Sequence, residues 1–66
     1  MYIVSVIDQS FTVVSTFKAT GIEIIQELKR LFPLAIIHHI GAYISIVNGD
    51  REYKAILTLV TSIREL

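Results

Sequence analysis

The sequence predicts an α+β fold in the order ββαββα, an antiparallel sheet of about four strands with two helices packed on one face. Three observations carry that expectation. Short β-branched and aromatic runs lie between polar turns near the start and in the middle of the chain. A capping box opens an amphipathic stretch that stops at a proline. A further stretch with a broad apolar side follows Asn48-Gly49-Asp50. With 66 residues the chain has room for one domain, residues 1–66.

Tyr2 to Ile7 reads as a strand, and Phe11 to Phe17, rich in Val, Thr and Phe, as a second. Asp8-Gln9-Ser10 between them is a short polar turn, so the two form an antiparallel hairpin. Thr20-Gly21-Ile22-Glu23 is the capping box, which places a helix start near Gly21. Ile22, Ile25, Leu28 and Phe32 form its apolar stripe, widened by Ile24 and Leu31. Glu23 and Glu27 precede Lys29 and Arg30, the order the helix dipole favours, and Pro33 ends the helix. Leu34 to His39 and Ala42 to Val47 read as strands around an Ile40-Gly41 turn, or as one long bent strand. Asp50 is placed to cap a second helix. Tyr53, Ile56, Leu57, Leu59, Val60, Ile63 and Leu66 would make its apolar side.

Composition points to association. The chain is 53% hydrophobic with a mean hydropathy of +0.64. A domain this small buries only about 60% of its unfolded surface. A core of this size supplies about 3–5 kcal/mol unless something staples it. There is no cysteine, hence no disulfide framework and no thiolate metal site, and a reducing, cytoplasmic location is expected. Side-chain alternation adds to this. Along the first strand Tyr2, Val4 and Val6 oppose Ile3, Ser5 and Ile7, and in the fourth Ile44 and Ile46 oppose Tyr43, Ser45 and Val47. Neither face is polar, whereas a sheet wet on one side alternates cleanly. Two helices cover one face; Ile3, Ile7, Val14, Tyr43 and Val47 are left as the expected interface with a symmetry mate or another protein.

Six basic and six acidic residues balance to a net charge of zero, which does not suit a nucleic-acid footprint. The uncharged stretch Leu31–Gly49 approaches bilayer length. Pro33, the His38-His39 pair and its β-branched content favour strands instead, and no membrane partner is expected. His38 and His39 are neighbours on a strand, so they point to opposite faces and do not chelate one ion. Their place in the most apolar stretch makes them candidates for a pH-sensitive contact. Glu52-x-Lys54 shares its spacing with the end of a nuclease motif, but here reads as the first turn of the second helix. Gly21 and Gly41 stand alone, so no phosphate-cradling loop is present. No catalytic residue, metal ligand or cofactor is assigned.

Gly21 to Leu28, then Ala42 to Val47, then a helix with Ala55, Leu59 and Ile63, together resemble the middle of an ACT-type regulatory domain. That resemblance implies a ferredoxin-like fold, side-by-side pairing and an amino acid bound at the interface. The leading expectation is a non-enzymatic regulatory or interaction protein, acting as a homodimer or in a partner complex. An ACT-like ligand-binding module is the second reading and a nucleic-acid-binding protein the third.

Overall fold

The computed structural model describes residues 1–60. In them the order is ββαβββ: β1 (Tyr2–Ile7), β2 (Val13–Ala19), α1 (Gly21–Leu31), β3 (Ile36–Ile40), β4 (Tyr43–Asn48) and β5 (Arg51–Leu59). The strands form one five-stranded sheet in the order β2-β1-β5-β4-β3, and every neighbouring pair is antiparallel. The α+β class stands, with α1 the one helix among the described residues.

The expected second helix is the main correction. Residues 51–59 are a strand, and Asp50 is not a helix cap but the second central residue of the β4–β5 turn. Ile63 and Leu66, the end of that expected helix, lie outside the described residues. β5 inserts between β1 and β4, pairing Val4 with Leu57 on one side and Ile46 with Tyr53 on the other. Its residues also alternate. Tyr53, Ala55 and Leu57 share a face, with Glu52, Lys54 and Ile56 on the other.

Two tight turns set the register of the last three strands. Gly41-Ala42 and Gly49-Asp50 are two-residue connections, and Gly41 (φ +56°) and Gly49 (φ +69°) are left-handed. Only the first central residue has positive φ in each, the type II′ pattern that suits strand twist. Within 34–47 the chain is therefore a hairpin rather than one bent strand, spanning residues 36–48 with its turn at Gly41-Ala42 in place of Ile40-Gly41. The candidate membrane stretch, Leu31–Gly49, runs from the end of α1 through a loop and this hairpin, and no helix among the described residues is long and apolar enough to cross a bilayer.

The first hairpin departs from its expected bounds for a local reason. The Asp8 carboxylate accepts from the backbone N–H groups of Ser10 (2.8 Å) and Thr12 (3.0 Å), and the Asp8 N–H donates to the Thr12 carbonyl at 3.0 Å. That wraps residues 8–12 into a loop and delays β2 to Val13. Phe11 sits at its tip in left-handed geometry (φ 64°), 77% exposed. A bulge follows: Val6 faces Ser15 but Ile7 faces Val13, leaving Val14 without a partner on β1.

α1 lies across one face. Its start is as expected, with the Glu23 carboxylate accepting from the Thr20 N–H at 3.0 Å. Its end is too: the Phe32 N–H donates to the Leu28 carbonyl at 2.8 Å just before Pro33. The buried stripe is Ile24 and Leu28, flanked by Ile25 and Phe32, whereas Ile22 is 78% exposed. These side chains meet Val4, Val6, Ile44, Ile46 and Ala55, which with Ala19 complete the buried core. No polar or charged group is buried among the described residues. Phe32 closes one end of the layer against Tyr53, with ring centroids 4.9 Å apart.

Backbone and hydroxyl hydrogen bonds from Thr20 hold the Glu23 carboxyl below its ordinary value, and the side-chain bond from Arg30 does the same for Glu27. A lowered folded pKa stabilises the fold above the unfolded value, and the contribution is lost as pH falls through the folded one. Thermal stability is therefore expected to drop below about pH 4.3, the ordinary glutamate value. Glu23→Gln, which keeps an acceptor but does not titrate, is expected to flatten that slope. An unchanged melting-temperature profile from pH 6 to pH 3 would count against the cap.

Candidate functional site on the open face of the sheet

Register and alternation give the composition of the face opposite α1. One cross-strand row reads Thr16, Ser5, Ile56, Tyr43, Ile40 from β2 to β3. The next reads Val13, Ile7, Lys54, Ser45, His38. Glu52, Val47 and Ile36 follow at one end, and Lys18, Ile3 and Thr58 at the other. Apolar and polar residues are thus mixed in both directions. No described element lies over this face, since α1 sits on the other.

Four of the expected interface residues, Ile3, Ile7, Tyr43 and Val47, share this face. Val14 sits at the bulge on β2, 48% exposed. Ile56, 38% exposed, is the member that sequence reasoning missed, because it was assigned to the buried side of a helix. The local signal was the Gly49-Asp50 turn, with Tyr53, Ala55, Leu57 and Leu59 at every second position, although Ile56 interrupts that alternation. Ile36 (61% exposed) and Ile40 (48% exposed) join this face from β3; Ile36 was expected in a strand with no face assigned, and Ile40 in a turn.

A shallow groove of about 360 Å³ runs between the Asp8 loop and β4–β5, lined by Phe11, Ile7, Tyr43, Ser45, Glu52 and Lys54. The left-handed turn at Phe11 carries its ring to this groove, which a strand assignment for Phe11 did not foresee. The Lys54 ammonium lies over the Tyr43 ring, 5.1 Å from its centroid. Glu52 and Lys54 share a face, as the i, i+2 spacing of a strand demands, rather than the helical turn expected for them.

The chemistry available here is modest. Ser45 stands between His38 and Lys54 in one row, a set of residue types that could serve acyl transfer. The side-chain hydrogen bonds of the described residues, however, belong to the Asp8 loop, the Thr20–Glu23 cap and the Glu27–Arg30 pair. Among the described residues neither Ser45 nor His38 makes a side-chain hydrogen bond. His38 and His39 are both exposed and fall on opposite faces, His38 beside Ser45 and His39 beside Ile44. No group of three or more His, Cys, Asp or Glu side chains among the described residues could hold a metal ion.

Compared with protein-family models, curated proteins and solved structures, the chain matches none. The last part of the ACT resemblance was a helix with Ala55, Leu59 and Ile63; Ala55 and Leu59 are on β5 and Ile63 lies outside the described residues, so the ferredoxin-like arrangement is not the one observed in the described residues.

Proposed function

We propose that this chain is a non-enzymatic interaction module that works in assembly, with copies of itself or with a partner protein, through the open face of its sheet. One observation carries this reading: Ile3, Ile7, Ile56, Tyr43 and Val47 spread across a face that no described element covers. These apolar side chains, with Lys54 among them and Lys18 and Glu52 at opposite ends of the face, fit a protein contact in which apolar groups exclude water and charged groups select the partner. A cysteine-free chain folds without regard to redox state, and a cytoplasmic site of action belongs to the same reading.

Light scattering during size exclusion over a dilution series, with melting temperature measured alongside, tests it. Association raises mass and melting temperature with chain concentration. Val47→Lys and Ile3→Lys are expected to weaken it while leaving circular dichroism unchanged. A rise in melting temperature on adding free amino acids would overturn the reading in favour of small-molecule sensing. Salt-sensitive retention of oligonucleotides would overturn it in favour of nucleic-acid binding.

A further inference from the structure

We propose that the chain pairs with a second copy of itself along β3, edge to edge about a twofold axis at His38, and that protonation of the histidines opens the pair. The inference goes beyond the face contact proposed above: it concerns the β3 edge and leaves the open face free. It names the partner and the edge.

The sheet has two edges, β2 and β3. β2 carries Lys18 and the Val14 bulge, both devices that discourage strand addition. β3 has neither. Its sequence, Ile36-Ile37-His38-His39-Ile40, bears no formal charge with neutral imidazoles, and Ile36 and Ile40 are largely exposed.

The free backbone groups of β3 follow from its turn. Across the Gly41-Ala42 connection, Ile40 and Tyr43 are the flanking residues of a two-residue hairpin and so a hydrogen-bonded pair. Bonded and non-bonded pairs alternate in antiparallel sheets. Ile36, His38 and Ile40 therefore direct their N–H and C=O groups to β4, while those of Ile37 and His39 point away from the sheet. The same alternation, carried through β4 and β5, arrives correctly at the Val60 N–H donating to the Met1 carbonyl at 3.0 Å.

Outward groups must meet outward groups. In an antiparallel pair of two β3 strands, the register that uses the whole strand sets Ile37 against His39 of the second copy. Each such pair exchanges both backbone bonds. His38 then faces His38 of the second copy as a non-bonded pair, with Cα atoms about 4.5 Å apart. Ile36 faces Ile40 of the second copy. The row Ile56-Tyr43-Ile40 continues into Ile36 and Val47 of that copy, joining the two open faces into one surface.

The histidine pair makes the edge pH-sensitive. Histidine is the side chain whose charge ordinarily changes between about pH 5 and 8. On the open face His38 has Ser45 beside it and Lys54 beyond, with Tyr43 and Glu52 in the flanking rows. Two imidazolium groups facing each other at that separation repel, so a doubly protonated pair disfavours the dimer. His39, on the α1 side near Ile44, Ile24 and Tyr2, would meet Ile37 of the second copy, and its protonation adds an unpaired charge there.

Sedimentation of the full chain over a dilution series at about pH 8 and about pH 5.5 tests both parts. The dimer dissociation constant is expected to be about tenfold higher at the acid pH. His38→Gln is expected to keep the pairing at pH 8 and cut the pH response to about threefold or less. His39→Pro removes an outward N–H that β4 does not use, so it should abolish the dimer and leave circular dichroism unchanged. Should that variant not fold, Ile36→Lys at an exposed position gives the same readout. An oligomer that survives both substitutions overturns edge pairing and leaves the assembly reading standing. A monomer at pH 8 at every concentration also overturns it, and with it self-association through the open face. Equal dissociation constants at the two pH values overturn the histidine switch.

Discussion

Leu28→Ala is expected to leave the chain largely unfolded at room temperature. Leu28 is fully buried, and with Ile24 it forms the buried stripe that holds α1 on the sheet. Truncating a buried leucine costs about 2–5 kcal/mol, the transfer term plus a cavity. A core of this size supplies about 3–5 kcal/mol in all, so the loss is comparable to the whole stability. Urea titration followed by circular dichroism measures it. Ile22→Ala, on the same helix but 78% exposed, is expected to shift stability by no more than about 0.5 kcal/mol. The pair of variants asks which stripe of α1 faces the sheet. Equal costs would mean that α1 is rotated relative to the arrangement described.

Ala55→Asp and Ile56→Asp should differ sharply, although the positions are adjacent. Ala55 is fully buried between β1 and β4, paired with Val6 and Ile44 in a core without polar groups. A carboxylate there has no partner, and truncating or burying an unpaired charge costs several kcal/mol; unfolding is the expected result. Ile56 lies on the opposite face at 38% exposure, where an aspartate reaches water. Its cost is expected to be about 1 kcal/mol, mostly lost strand propensity and packing. A helix over residues 51–59 reverses the order, because Ile56 belongs to its apolar stripe and Ala55 does not. The comparison thus tests the strand assignment of β5 directly.

Local signals in the chain were read correctly where the cause was local. The Thr20–Glu23 box and Pro33 bracket α1 because capping and proline act within a single turn. Tyr2–Ile7 is a strand with the expected faces because alternation over six residues admits one reading. The Asp8 loop was misjudged by two residues, since nothing in Phe11-Thr12 announces a left-handed phenylalanine; the Asp8 carboxylate imposes it through two backbone N–H groups. Part of the candidate surface was also legible. Ile3, Ile7, Tyr43 and Val47 needed only alternation, whereas Ile56 needed the identity of β5.

Composition and periodicity were enough to establish an apolar, disulfide-free α+β chain with one well-bracketed helix and a sheet greasy on both sides. They could not settle residues 51–59, whose apolar positions at 53, 55, 56, 57 and 59 satisfy a helical stripe and a strand face alike. That choice was made across the sheet. β1 has one side free after pairing β2, and β4 has one free after pairing β3; a helix would leave both rows of N–H and C=O groups without protein partners. A strand in that slot satisfies both rows at once, and a distant segment's unmet hydrogen bonds outweigh a local preference that is nearly balanced.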